Sequence, residues 1–163
     1  MMTNGGPLIY FAGPLFSTAE KRFNQRLTKR LEEAGFRVFL PQRDGVERSK
    51  PPYDEMSSEE RRGVMFELDR TKIFEADVFL FVLDGRVPDE GACVELGMAY
   101  CHKQFVNPEK LLVGLRTDVR AAFLASELNP MVRVPLEYIA QDEETLLGVL
   151  EDYKMRIGSD AKW

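Results

Sequence analysis

The sequence predicts an α/β fold, a single-domain parallel five-stranded sheet flanked by helices, on three observations. Short apolar runs alternate with longer stretches whose apolar residues recur at helical spacing, the pattern of right-handed β-α-β units. The apolar runs break at Gly, Pro or Asp. The chain has 163 residues, 44% of them hydrophobic, enough for one domain with a substantial core.

Each element follows in order. Leu8 to Ala12, in "LIYFAGPLF", form the first strand, ended by Gly13-Pro14. "STAEKRFNQRLTKRLEEAG" is a helix because Phe23, Leu27, Leu31 and Ala34 recur on one face; Ser17 or Thr18 can cap it and Gly35 can end it. "FRVFLP" is the second strand, stopped by Pro41. Residues 42–58 are polar, with Gly and Pro, and read as one long loop of the kind that often carries function. "SSEERRGVMFELDRTKIFEA" is a helix capped by Ser57 or Ser58, and "DVFLFVLD" is the clearest buried strand. The loop "GRVPDEG" leads into the helix "ACVELGMAYCHKQ". "EKLLVGLR" is the fourth strand, "VRAAFLASELNPM" a loop or short helix, "VRVPLEYIA" the holder of a fifth strand and "DEETLLGVLEDYKMRI" the last helix. One domain then spans 1–163, with 1–7 and 158–163 as flexible tails.

Composition narrows the function classes. A net charge of −5 and a pI of about 5.1 disfavour a general nucleic-acid binder. No stretch is long and apolar enough to span a membrane, and "MMTNGGPLIY" lacks the basic-then-apolar plan of a signal peptide, so a soluble cytoplasmic protein is the expectation. His102, the one histidine, makes no multi-histidine metal site. Cys93 and Cys101, eight apart on one helix, suit neither a metal nor a disulfide and read as small buried hydrophobes. No metal and no cofactor is expected.

Ligands of parallel sheets bind beyond the carboxyl ends of the strands, so "FAGPLF", "LPQRDG" and "LDGRVPDEG" should meet at one crevice. Glu95 lies one turn into the helix opening there, flanked by Ala92, Cys93, Val94, Leu96 and Met98. A buried carboxylate is costly unless it is paired or held for chemistry. Asp89 and Glu90 precede it, and Asp69 sits near the end of the preceding helix. Paired carboxylates suit glycosidic chemistry, in which one attacks or stabilises an oxocarbenium-like sugar while an acid assists the leaving group. Each has a plainer alternative. Asp89 also reads as a simple helix cap, Glu95 as a solvated helix residue, and Asp69 as the partner of Lys72 at i+3. Tyr10 alone reads as a core aromatic, and Gln42 and Asn129 as loop residues bonded to backbone.

In order and at compatible intervals, "IYFAGPLF", "LPQRDG", "ELDRTKIFEADVFLFVLDG", "PDEGACVELGMAY" and "LNPM" resemble the nucleoside 2-deoxyribosyltransferases over roughly residues 8 to 140. The most specific part is Asp89, Gly91, Glu95 and Gly97. The resemblance implies a flavodoxin-like or Rossmann-like sheet and no cofactor. It implies that Glu95 attacks C1′ of a 2′-deoxynucleoside, that the base leaves, and that a second base takes the deoxyribosyl group, with slow hydrolysis when no base binds. It gives Tyr10 the task of orienting Glu95, Asp69 that of protonating the leaving base, and Asp89 that of holding the sugar hydroxyls. By the same resemblance Gln42 contacts the base edge, Phe16 walls the base, and Gly13 lines the site. Asn129, with Met131 beside it, enters the site of a neighbouring subunit, so the partners implied are 2-deoxynucleosides, free nucleobases and further copies of the chain. Pro130 inside "LNPM" departs from the pattern and bears on how Asn129 is presented. Two rivals stand beside this reading: a 2-deoxynucleoside 5-monophosphate N-glycosidase with the same nucleophile, and a non-catalytic nucleotide-sensing domain.

Overall fold

The computed structural model describes residues 5–118 and 128–160. Its five strands are β1 (Leu8–Ala12), β2 (Arg37–Phe39), β3 (Val78–Val82), β4 (Leu111–Leu115) and β5 (Tyr138–Ala140). They form one parallel sheet in the order β2-β1-β3-β4-β5, as the β-α-β alternation requires. The winding reverses between β1 and β3, and such a switch point opens a crevice at the carboxyl end of a doubly wound sheet. The helices among the described residues are α1 (Thr18–Glu33), α2 (Pro41–Asp44), α3 (Ser58–Glu75), α4 (Glu90–Phe105), α5 (Pro130–Arg133) and α6 (Glu143–Asp160).

Strand alternation divides the core in two. Ile9 and Phe11 of β1 pack with Leu27 and Leu31 of α1 and with Leu146 and Leu150 of α6. Tyr10 and Ala12 point the other way, into a cluster with Ile73 of α3 and Leu96 of α4. The central strand β3, covered on both faces, is buried at every position, which explains its unbroken apolar sequence. Ser17 and Ser57 begin α1 and α3 with full capping boxes, their hydroxyls accepting from Glu20 and Glu60 backbone N–H groups while those glutamates accept in return. The carboxyl end of α3 is closed by Lys110, which is fully buried and donates from Nζ to the carbonyls of Ile73 (2.9 Å) and Ala76. Burial lowers the Lys110 pKa to about 8. Nothing in the sequence pattern marked this lysine, because its stem enters the core from the first residue before a strand.

Some expectations are corrected. Pro41 does not merely stop a strand. Its fixed φ suits the first helical position, and it opens α2, so the loop begins at Gly45 rather than at residue 42. That loop is tethered by Arg61, which donates to the carbonyls of Tyr53 (3.1 Å) and Met56 (2.6 Å). Cys93 is half-buried and Cys101 exposed, so they are not a buried pair. Helix α4 buries Ala92, Leu96 and Ala99, and Cys101, two residues past Ala99, falls on the far side of the helix. Helix α6 runs to Asp160, into the C-terminal segment expected as a tail, and at the other end the Pro7 carbonyl accepts a backbone hydrogen bond from the N–H of Arg37. Most of the stretch read as a loop or short helix before Asn129 lies outside the described residues; its end forms α5.

Candidate active site

The carboxyl ends of β1, β2 and β3 lead into a cleft of about 530 Å³, a size suited to a small organic ligand. Three polypeptide segments expected to meet there do so: Gly13 and Phe16 after β1, Gln42 in α2 after β2, and Asp89 and Glu95 around the start of α4. Asp69 of α3 lines the same cleft. Gly13 is required by geometry. Its φ is +149°, and a Cβ there would lie 2.9 Å from the Cβ of Val82 and 3.0 Å from that residue's carbonyl oxygen.

Glu95 is half-buried, and its Oε1 accepts a 2.9 Å hydrogen bond from the Tyr10 hydroxyl. The donor is held rigidly. Tyr10 has no exposed surface, and the parallel register sets it directly beside Phe39 and Phe79 on the neighbouring strands. Its ring stacks on both, with centroids 5.6 and 5.7 Å away. Burial, then the charge of Glu95, drives the Tyr10 pKa far above the phenol range, so the hydroxyl is a permanent donor to the carboxylate.

Burial is also the main influence on Glu95, raising its pKa to about 7; the Tyr10 hydrogen bond opposes this, and the charges of Asp69 and Asp89 add to it. Asp69 is raised to about 6 by burial. Its suggested pairing with Lys72 is absent, because Lys72 turns to Glu75, 2.7 Å away. Asp89 caps α4, accepting at Oδ1 from the N–H of Ala92 (2.9 Å), and it also lines the cleft. Gln42 is held by α1: Oε1 accepts from Nδ2 of Asn24 (3.0 Å) and Nε2 donates to the carbonyl of Lys21 (2.9 Å).

Asn129 and Met131 are not brought to this cleft within one chain. Asn129 caps α5 by accepting from the N–H of Met131 (2.9 Å), with Pro130 at the first helical position, and Met131 is 81% exposed. Sequence reasoning missed Lys21, Gln25, Glu47 and Met65 in the cleft wall. Lys21 and Gln25, one turn apart on α1, carried a signal: both lie on the side of α1 opposite to Phe23 and Leu27, facing away from the predicted core stripe. Among the described residues no group of three or more His, Cys, Asp or Glu side chains could hold a metal ion, and no helix is long and apolar enough to cross a membrane.

A carboxylate cluster at the switch point of a parallel α/β sheet, with one carboxylate anchored by a buried tyrosine, defines a small-molecule site equipped for nucleophilic or acid–base chemistry. Residues 9–148 match the family model described as nucleoside 2-deoxyribosyltransferase, and the chain belongs to that family. Membership marks it as a glycosyl transferase or glycosidase acting on nucleosides. Among solved structures it is similar to a conserved protein from Enterococcus faecalis V583, with a TM-score of 0.67 and 25% identity over 93% of this chain and 99% of that one. A 2-deoxyribosyltransferase from the psychrotolerant bacterium Bacillus psychrosaccharolyticus gives a TM-score of 0.69 at 22% identity, covering 86% of this chain and 90% of that one. A Clostridium botulinum CMP N-glycosidase, BcmB, gives 0.51 at 21% identity, covering 90% and 98%. The last two likenesses are of fold. No curated protein sequence matches significantly.

The Glu95 shift has a consequence for stability. In the unfolded chain its carboxyl titrates near 4.5 and in the folded one near 7, so the folded protein binds the proton more tightly and stability falls as pH rises through that window. Glu95→Gln is therefore expected to be more stable than the unaltered protein by on the order of 2–3 kcal/mol at pH 8, with the advantage fading towards pH 4.5. Urea unfolding at several pH values measures this, and a difference that does not vary with pH would contradict it.

Proposed function

We propose that the chain transfers 2-deoxyribose between nucleobases by double displacement through Glu95. The observation that carries this reading is the Glu95 carboxylate held by Tyr10 inside the cleft. With Oε1 occupied by the tyrosine, Oε2 attacks C1′ of a 2′-deoxynucleoside. The C1′–N bond breaks, its electron pair stays with the base, and Asp69 gives that base a proton. The product is a deoxyribosyl ester of Glu95. A second base attacks C1′ from the vacated side, returns a proton to Asp69 and frees the carboxylate, so two inversions give net retention. In the absence of a base, water completes the second step slowly.

Binding follows the lining residues. Oδ2 of Asp89 accepts from the sugar's 5′ hydroxyl while Oδ1 stays on the helix cap. Phe16 walls the base and Gln42 meets its edge. Asn129, whose Oδ1 is taken by the cap, has its amide N–H groups left to donate into the site of a second copy, with Met131 alongside. Exposed apolar side chains on adjacent helices, Phe66 of α3 and Val94 and Phe105 of α4, support association of copies.

Glu95→Ala is expected to abolish base exchange while deoxynucleoside binding persists; unchanged turnover would sink the mechanism. Transfer needs Glu95 ionised and Asp69 protonated, the reverse of what their values of about 7 and about 6 favour. The productive form is thus a minority form, and kcat/KM is expected to trace a bell with limbs near pH 6 and pH 7. A flat profile from pH 5 to pH 9 would remove Asp69 as the acid.

One observation favours a second reading, hydrolysis of a 5′-monophosphate: Lys21 lines the cleft and is a cation able to attract a phosphate. Against it stands Asp89, which repels a phosphate by about 1 kcal/mol per unit charge at 4 Å even in water. Base exchange on deoxyadenosine is expected to outrun hydrolysis of dAMP when both are followed by chromatography. The opposite order would select the glycosidase.

A further inference from the structure

We propose that Asn24 is a positioning residue that fixes which end of the Gln42 amide is acceptor and which is donor, and thereby sets discrimination between amino- and oxo-substituted bases. The inference rests on the proposed contact between Gln42 and the base.

Asn24 lies on the inner face of α1 between Phe23 and Leu27 and is only 2% exposed. A buried amide so placed is costly unless its hydrogens are used. They are: Nδ2 donates to the carbonyl of Pro14 and to Oε1 of Gln42, each at 3.0 Å. Three residues earlier on the same helix, the carbonyl of Lys21 accepts from Nε2 of Gln42 at 2.9 Å. Helix α1 thus grips the Gln42 amide at both ends. A flipped amide would set nitrogen against the Asn24 nitrogen and oxygen against the Lys21 oxygen, losing both bonds and creating two repulsions. The polarity of Gln42 is therefore not free to follow the ligand. Each end keeps one unused site, an N–H and an oxygen lone pair, in fixed positions. Adenine and hypoxanthine present reversed donor and acceptor patterns at their six-membered edge, so one fixed amide suits one of them better. The bond to Pro14 also ties the loop that carries Gly13 and Phe16 to the same residue.

The test is binding of adenine and of hypoxanthine to the full chain by titration calorimetry, with base exchange of deoxyadenosine and deoxyinosine alongside. Asn24→Asp replaces the donor by acceptors, and Asn24→Leu removes the grip; thermal melts show which of the two remains folded. The expected result is a change of roughly tenfold in the ratio of the two affinities, because a misaligned donor or acceptor penalises one base and not the other. A merely structural role would weaken both bases equally. Equal weakening in a folded variant, or failure of the unaltered protein to bind either base, overturns the inference. If bases bind but no deoxyribose is transferred, the transferase reading fails by itself, and the affinity ratio still decides this one.

Discussion

Holding a carboxylate inside a protein while leaving it able to ionise requires a donor that neither moves nor loses its proton, and the hydroxyl of Tyr10 meets both conditions at Glu95. Its immobility comes from the sheet. Register places Tyr10 opposite Phe39 and Phe79, and the three rings stack across β2, β1 and β3. Its retained proton comes from the same burial, which penalises a phenolate. Burial by itself would push Glu95 towards its neutral form; the hydrogen bond pulls back, and the result is a group poised near neutrality rather than silenced.

Because strand side chains alternate, this arrangement depends on register throughout β1. A slip by one residue would send Tyr10 into the cluster beneath α1 and α6 and put Phe11 against Glu95. The outer parts of the fold hold that register and the helices around it. Asp77 accepts from the N–H of Leu8 at 2.7 Å just before β3, which aligns the starts of two central strands. Lys110 fastens the end of α3, the helix that carries Asp69. The cleft is therefore walled by loops and helices together, and Tyr10, Glu95 and Asp69 stand on the strand and helices rather than on the loops.

The sequence made the sheet legible because buried parallel strands are short and apolar, and β3 in particular has no polar residue to confuse the pattern. Glu95 stood out for the same reason, a charge within an apolar run. The meeting of three segments at one crevice followed from topology. Other features depend on contacts remote in sequence. Nothing local distinguishes Asn24 from an exposed helical asparagine, since its partners Pro14 and Gln42 come from the loop after β1 and from α2. The α2 turn was hidden because Pro41 is equally suited to stop a strand and to start a helix. The exposure of Cys101 was obscured because α4 is apolar on its outer side as well as its inner one, so composition did not tell the two faces apart.

Asp89 joins two demands in one side chain: Oδ1 begins α4 and the residue lines the cleft. A lineage cannot change what this position presents to the cleft without also changing how the helix begins. Asparagine, serine or threonine would preserve the start of the helix while changing charge and reach, whereas most other replacements would loosen the helix on which Glu95 stands. The repertoire open to descendants at this position is thereby narrowed to small polar caps, and the chemistry of the cleft wall is inherited together with architecture.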